Sequence, residues 1–260
     1  MLSPSLNSWL IAVALNTILA LIAWIAPKKL LTPTGLLHGW LLGVLIWGCL
    51  GWQGYAVVMV YFLVGSAVTR IGMAEKEAAG IAEKRSGARG PENVWGSAAT
   101  AAICALGVGL LPWLNLGTVR GEIVSWLLLG YVASFSTKLA DTCASEIGKA
   151  YGQRTFLITT LQPVPRGTEG AVSLEGTLAG IVASVAIALL GWGVGLISPL
   201  GIGFCVIAAL IATNLESVIG ATLQTKIAWL SNELVNVINT LIGAIVAIGL
   251  AIGVSAFLSN

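Results

Sequence analysis

The chain has 260 residues, of which 57% are hydrophobic and 9% charged, and a mean hydropathy of +0.93, whereas a soluble domain carries roughly 25% charged residues. Its net charge is only +2 and no run of basic residues is longer than two, so it lacks the electrostatic footprint of a nucleic-acid binder. Those figures exclude an ordinary soluble domain and leave an all-α fold class, a polytopic transmembrane helix bundle.

Taken in chain order, apolar stretches near residues 8–26, 36–51, 53–72, 94–112, 121–140, 173–192, 199–220 and 234–257 predict seven or eight spans, each needing about 20 apolar residues. The second and third are short and nearly fused. The opening "MLSPSLNSWLIAVALNTILALIAW" has no basic stretch before its apolar run and reads as a retained helix rather than a cleaved signal. Placing the N-terminus outside puts Lys28, Lys29, Arg70, Lys76, Lys84, Arg85, Arg89, Lys138, Lys149, Arg154, Arg166 and Lys226 on the inner side. That leaves Arg120 alone outside, a strong positive-inside bias. The chain then reads as a single integral membrane domain, 1–260, with cytoplasmic loops at about 73–93 and 141–172. Pro165 and the glycines around it mark the second loop as irregular. Cys49, Cys104, Cys143 and Cys205 stand singly in apolar segments and read as packing residues, and His38 reads as an interfacial histidine.

The chemistry gathers in "FSTKLADTCASEIGKAYG", residues 135–152. On a helix, Lys138, Asp141, Thr142, Ser145, Glu146 and Lys149 fall within roughly 140° of arc, opposite an oily face. An ionised carboxylate inside a membrane costs about 2.5–3.5 kcal/mol on insertion scales, which makes Asp141 and Glu146 candidates for holding Mg²⁺. The plain alternative is that they pair with Lys138 and Lys149 at the water interface. The next polar segment is "TLQPVPRGTEGAVSLEGTLAG". There Arg166, Gly167, Thr168, Glu169 and Gly170 form a donor-rich turn ahead of a helix, a suitable seat for phosphate. Arg85, Arg89 and Asn93 on the same side could hold the anionic head of a lipid or CTP, or the two arginines could simply set topology. Asn232, Asn236 and Asn239 make a polar stripe on the last span, either as helix glue or as part of a cleft. No Walker or Rossmann loop occurs.

The form Asp-Thr, five residues, Gly-Lys, two residues, Gly, followed by "PRGTEG", resembles the paired motif of membrane enzymes that use CTP, the CDP-diacylglycerol synthases and polyprenol kinases. A longer resemblance, from about Gly65 to Asn239, is to the integral membrane family of plants, cyanobacteria and archaea that includes phytyl-phosphate kinase. It rests on "GARGPENVWGSA", "LADTCASEIGKAYG", "VPRGTEGAVSLEGTLAG" and "ESVIGATLQ". The resemblance implies CTP-dependent phosphorylation of an isoprenyl monophosphate, such as phytyl phosphate, to its diphosphate for tocopherol and phylloquinone synthesis. The sequence departs from that pattern at Glu216, where an aspartate is expected.

On this reading Asp141, Lys149 and Arg166 are catalytic, and Asp141 and Glu146 hold the metal. Lys138 and residues Gly167, Thr168, Glu169 and Gly170 bind nucleotide, while Arg85, Arg89, Asn93, Asn236 and Asn239 bind the lipid phosphate. The expected location is a bacterial or cyanobacterial plasma or thylakoid membrane with the site facing the cytoplasm. The alternatives are a cytidylyltransferase, which makes a CDP-lipid through the same motif, and a secondary transporter. Transporters place broken helices and polar groups at the midplane of two repeats, and no repeat is evident here.

Overall fold

The structure, a computed structural model, describes residues 6–224 and 226–258. Among them seven helices are long and apolar enough to cross a membrane. They are α1 (Leu6–Ile25), α2 (Pro33–Thr69), α4 (Pro91–Leu110), α5 (Arg120–Tyr151), α6 (Leu174–Gly193), α7 (Pro199–Ile219) and α8 (Asn232–Leu258). A short α3 (Met73–Ala78) and a two-stranded antiparallel sheet, β1 (Thr155–Leu157) with β2 (Ala171–Ser173), lie in the connections.

α2 is not one straight rod. At 37 residues a straight helix would separate its ends by about 54 Å, yet Arg70 Nη2 donates to the carbonyl of Lys29 at 2.8 Å. The chain folds back at Gly51, whose φ of 65° and ψ of −161° lie in a region open essentially to glycine. Residues 33–50 and 52–69 are therefore antiparallel arms, and the seven apolar helices make eight crossings. Both short spans expected from the sequence are present.

α5 is the axis of the bundle. Residues 129–140 are all buried, because α2, α4, α6, α7 and α8 pack around it. Lipid tails are as apolar as leucine, so helices here associate through close approach and polar contacts rather than through a hydrophobic drive. Tyr131 OH donates to the Gly54 carbonyl at 2.7 Å, and Ser136 Oγ donates to that of Ser184 at 3.0 Å. Thr100 and Thr240 pair at 2.9 Å between α4 and α8, and Tyr55 OH donates to Asn16 Oδ1 at 2.9 Å to hold α1 against α2. Contacts of this kind contribute on the order of 0.6 kcal/mol each in a membrane.

α5 also differs from expectation at its end. The loop expected from 141 begins only after Tyr151. Thirty-two residues rise about 48 Å, well beyond a hydrocarbon core of about 30 Å, so the last turns stand clear of the apolar layer. Those turns carry Asp141, Glu146 and Lys149.

The hairpin has a direct test. Trp52 is 57% exposed and the four native cysteines are all buried, so Trp52→Cys and Lys84→Cys should react with an impermeant maleimide from opposite sides of sealed vesicles. A position 52 that stays unreactive from both sides would mean a straight α2.

Candidate functional site

Six helix ends and three connections converge at one end of the bundle around a cleft of about 900 Å³. α5 forms its back wall through Lys138, Asp141, Thr142, Ser145, Glu146 and Lys149, the same six residues that share one face on helical spacing. The end of α7 contributes Thr213, Glu216 and Ser217, and the start of α8 contributes Asn232, Glu233 and Asn236. Residues 80–85 and 87–89, together with Glu92, Asn93 and Ser97 of α4, form the facing rim.

At the centre Lys138, 6% exposed, places its ammonium against Asp141 Oδ2 and 2.7 Å from Asn236 Oδ1. The carboxyl of Glu216 lies against that of Asp141, and Asn239 Nδ2 donates to Glu216 Oε2 at 3.1 Å from one turn deeper in α8. The asparagine stripe of α8 thus faces the site, with Asn236 on the cleft surface and Asn239 as buried support. With all groups ionised, two carboxylates meet one ammonium here, which leaves a local excess of negative charge.

Glu146 is placed differently from expectation. It is 2% exposed, its Oε2 is bound by Lys76 Nζ, and its Oε1 lies 3.4 Å from Lys149. With both oxygens engaged by lysines it anchors Lys149 and α3 rather than facing Asp141, and the acid that does face Asp141 is Glu216. Lys76 is itself 1% exposed and also donates to the Thr69 carbonyl at 2.8 Å. Nothing in "GMAEKEAAG" marks this lysine for burial; its partner stands seventy residues later.

The turn "PRGTEG" joins β1 to β2. Thr168 Oγ1 donates to the Pro165 carbonyl at 2.8 Å, and the Ile158 N–H donates to that of Gly170 at 3.0 Å. Gly170 has a φ of +76° and packs against the π-helical turn Gly220–Gln224 that ends α7, where an added Cβ would lie 3.0 Å from the Ala221 nitrogen. Both backbone sign and space therefore require glycine. Gly167, Thr168, Glu169 and Gly170 line the cleft as expected, but Arg166 does not. Its Nη1 donates to the Ala150 carbonyl at 3.0 Å and caps the C-terminal end of α5, where a cation also suits the helix dipole.

Arg85, Arg89 and Asn93 meet on the rim. Arg85 Nη2 binds Glu92 and donates to Asn93 Oδ1 at 3.1 Å. Arg89 donates to Tyr61 OH at 2.7 Å beneath the cleft, and its backbone N–H and C=O pair with Leu30 and Thr32. It fastens the base of the α2 hairpin to α4. His38 Nδ1 accepts from Trp95 Nε1 at 2.9 Å, and His38 is not part of the lining.

The lining carries five basic residues, Lys84, Arg85, Arg89, Lys138 and Lys149. It also carries seven acids, Glu83, Glu92, Asp141, Glu146, Glu169, Glu216 and Glu233. An acidic cleft repels a polyphosphate unless cations accompany it, and its oxygen donors suit a hard divalent ion. Asp141 and Glu216 are the two acids that could hold one together.

A bundle of apolar helices closed around an ionisable cleft at one end defines an integral membrane protein with a built polar site. The chain belongs to the DUF92 family of integral membrane proteins, whose family model matches residues 16–244. It is 69% identical to an uncharacterised membrane protein of Synechocystis over 93% of this chain and 91% of the relative. It is 46% identical to the chloroplastic protein VTE6 of Arabidopsis thaliana over 93% of this chain and 71% of the relative. An uncharacterised membrane protein of Methanocaldococcus jannaschii is 31% identical over 91% and 92% of the two chains. No solved structure matches.

Removing the ammonium of Lys76 leaves Glu146 in a buried site with Lys149 as its remaining partner. Lys76→Met should lower stability in detergent by about 3 kcal/mol, the lower end for a broken buried pair. A Lys76→Met/Glu146→Leu double variant should recover most of that loss in denaturant unfolding, and equal losses in both would remove the pairing as the cause.

Proposed function

We propose that this protein is a membrane phosphotransferase of the phytyl-phosphate kinase type, moving the γ-phosphoryl group of CTP onto an isoprenyl monophosphate. The observation that carries the reading is convergence. Four motifs far apart in the chain, "GARGPENVWGSA", "LADTCASEIGKAYG", "VPRGTEGAVSLEGTLAG" and "ESVIGATLQ", all contribute to one cleft whose size suits a nucleotide. Similarity to VTE6 over most of both chains supports the same reading.

The chemistry asks mainly for positioning and charge neutralisation. A phosphate monoester has a second pKa near 6 and is already an anionic nucleophile at neutral pH, so no dedicated base is needed. Its oxygen attacks Pγ, the bond from Pγ to the bridging oxygen breaks, and CDP leaves. Lys138 and Lys149 line the back wall and offset charge on the transferring group, while the Gly167 to Gly170 turn packs about the nucleotide phosphates. Asp141 and Glu216 would hold Mg²⁺, which when bound supplies the positive charge that the acidic lining lacks. Glu146 fixes Lys149, and Arg166 keeps the end of α5 and the turn together. The clustering of lysine and arginine at this end of the bundle supports a cytoplasmic orientation.

Purified Asp141→Asn and Glu216→Gln should retain their helical content yet lose Mg²⁺-dependent transfer by about 100-fold or more. With γ-labelled CTP the label should arrive in the lipid; its arrival in pyrophosphate instead would identify a cytidylyltransferase. Full activity in Asp141→Asn would remove the metal assignment.

A further inference from the structure

A second, smaller cavity adjoins the side of the cleft. A groove of about 50 Å³ runs between α6 and α7, and Ala144, Val172, Thr177, Thr213 and Ser217 line both groove and cleft. On α7 it reaches from Ser217 to Ala209, about 12 Å along the helix.

Several of its polar side chains are engaged within their own helices. Thr213 Oγ1 donates to the Ala209 carbonyl at 2.8 Å, Ser217 Oγ to Thr213 at 3.1 Å, and Asn214 Nδ2 to Leu210 at 2.7 Å. On α6, Ser184 Oγ donates to Ile181 at 2.8 Å. These donors are turned back onto their own helices, and with Ala140, Ala144, Val172, Ile181, Ala209 and Leu210 between them the groove is more apolar than polar. Outside it, Val182 of α6 and Ile211 and Leu215 of α7 are exposed among the hydrocarbon-facing side chains.

Resting on the function proposed above, we propose that this groove seats the first isoprene unit of a single-chain isoprenyl monophosphate. The head then lies in the charged cleft while the tail passes between α6 and α7 into the bilayer. Three features support that occupant: five lining residues shared with the cleft, hydroxyls of Thr213, Ser217 and Ser184 that already donate within their own helices, and exposed apolar side chains on the flanking helices. A water molecule needs about 10–15 Å³ by the same measure, so the groove has room for about one five-carbon unit and not for two acyl chains side by side. The site thereby selects one-chain lipid phosphates over glycerolipids.

The test uses the full chain in nanodiscs with geranylgeranyl monophosphate carrying a diazirine on its first isoprene unit. Adducts should map to α6 and α7 by peptide mass spectrometry, be competed by unlabelled phytyl monophosphate, and persist in excess phosphatidic acid. Asn214→Trp, which changes a groove residue outside the cleft lining, should lower adduct yield about tenfold while labelling by azido-CTP stays as in the unaltered protein. Adducts on another helix pair, equal competition by phosphatidic acid, or unchanged yield in Asn214→Trp would overturn the groove. Adducts on α6 and α7 without phosphoryl transfer would support the groove and count against the kinase.

Discussion

The arrangement depends on one constraint: an ammonium or carboxylate enclosed among helices must meet an opposite charge or a hydrogen-bonding partner. α5 is enclosed on all sides over residues 129–140, and the one charged residue of that stretch, Lys138, stands near its edge. Asp141, Asn236 and, through them, Glu216 and Asn239 follow from its need for partners. The same need, one turn further on, draws Lys76 and α3 onto Glu146. Two adjacent clusters thus determine how α7, α8 and the 72–90 segment close around the end of α5.

The two clusters differ in what they leave available. Around Glu146 charge is matched on both carboxylate oxygens, which suits a fastening. Around Asp141 a second acid presses on the first with Lys138 as the near cation, and the walls add further acids. A surplus of oxygen donors beside an open cleft is an arrangement that a cation can complete. Asp141 and Glu146, equivalent on helical spacing, thus divide into one fastener and one acid that faces the open cleft.

Much of this was legible in the residues. Span positions followed from apolar runs, and the wet face of α5 from helical spacing. The closeness of spans 36–51 and 53–72 already marked the fold-back at Gly51. Less accessible were features decided by partners remote in sequence. Spacing places Glu146 and Asp141 on one face but is silent about which meets Lys76 and which meets Glu216. Arg166 stands in a turn suited to phosphate, yet its reach is settled by how β1 and β2 swing it under the last carbonyls of α5. The burial of Lys76 carries no local signature, because a short charged helix looks solvated until a cavity with a carboxylate receives it.

The fold-back at Gly51 also bears on the surrounding lipid. Each arm of α2 rises about 27 Å, a few ångströms less than the usual apolar slab of about 30 Å. Acyl chains beside the hairpin must shorten or tilt to match it, a mismatch costing fractions of a kcal/mol per ångström. The tip of the hairpin is thus a local dimple in the leaflet opposite the cleft, and membranes of different thickness will accommodate this protein unequally.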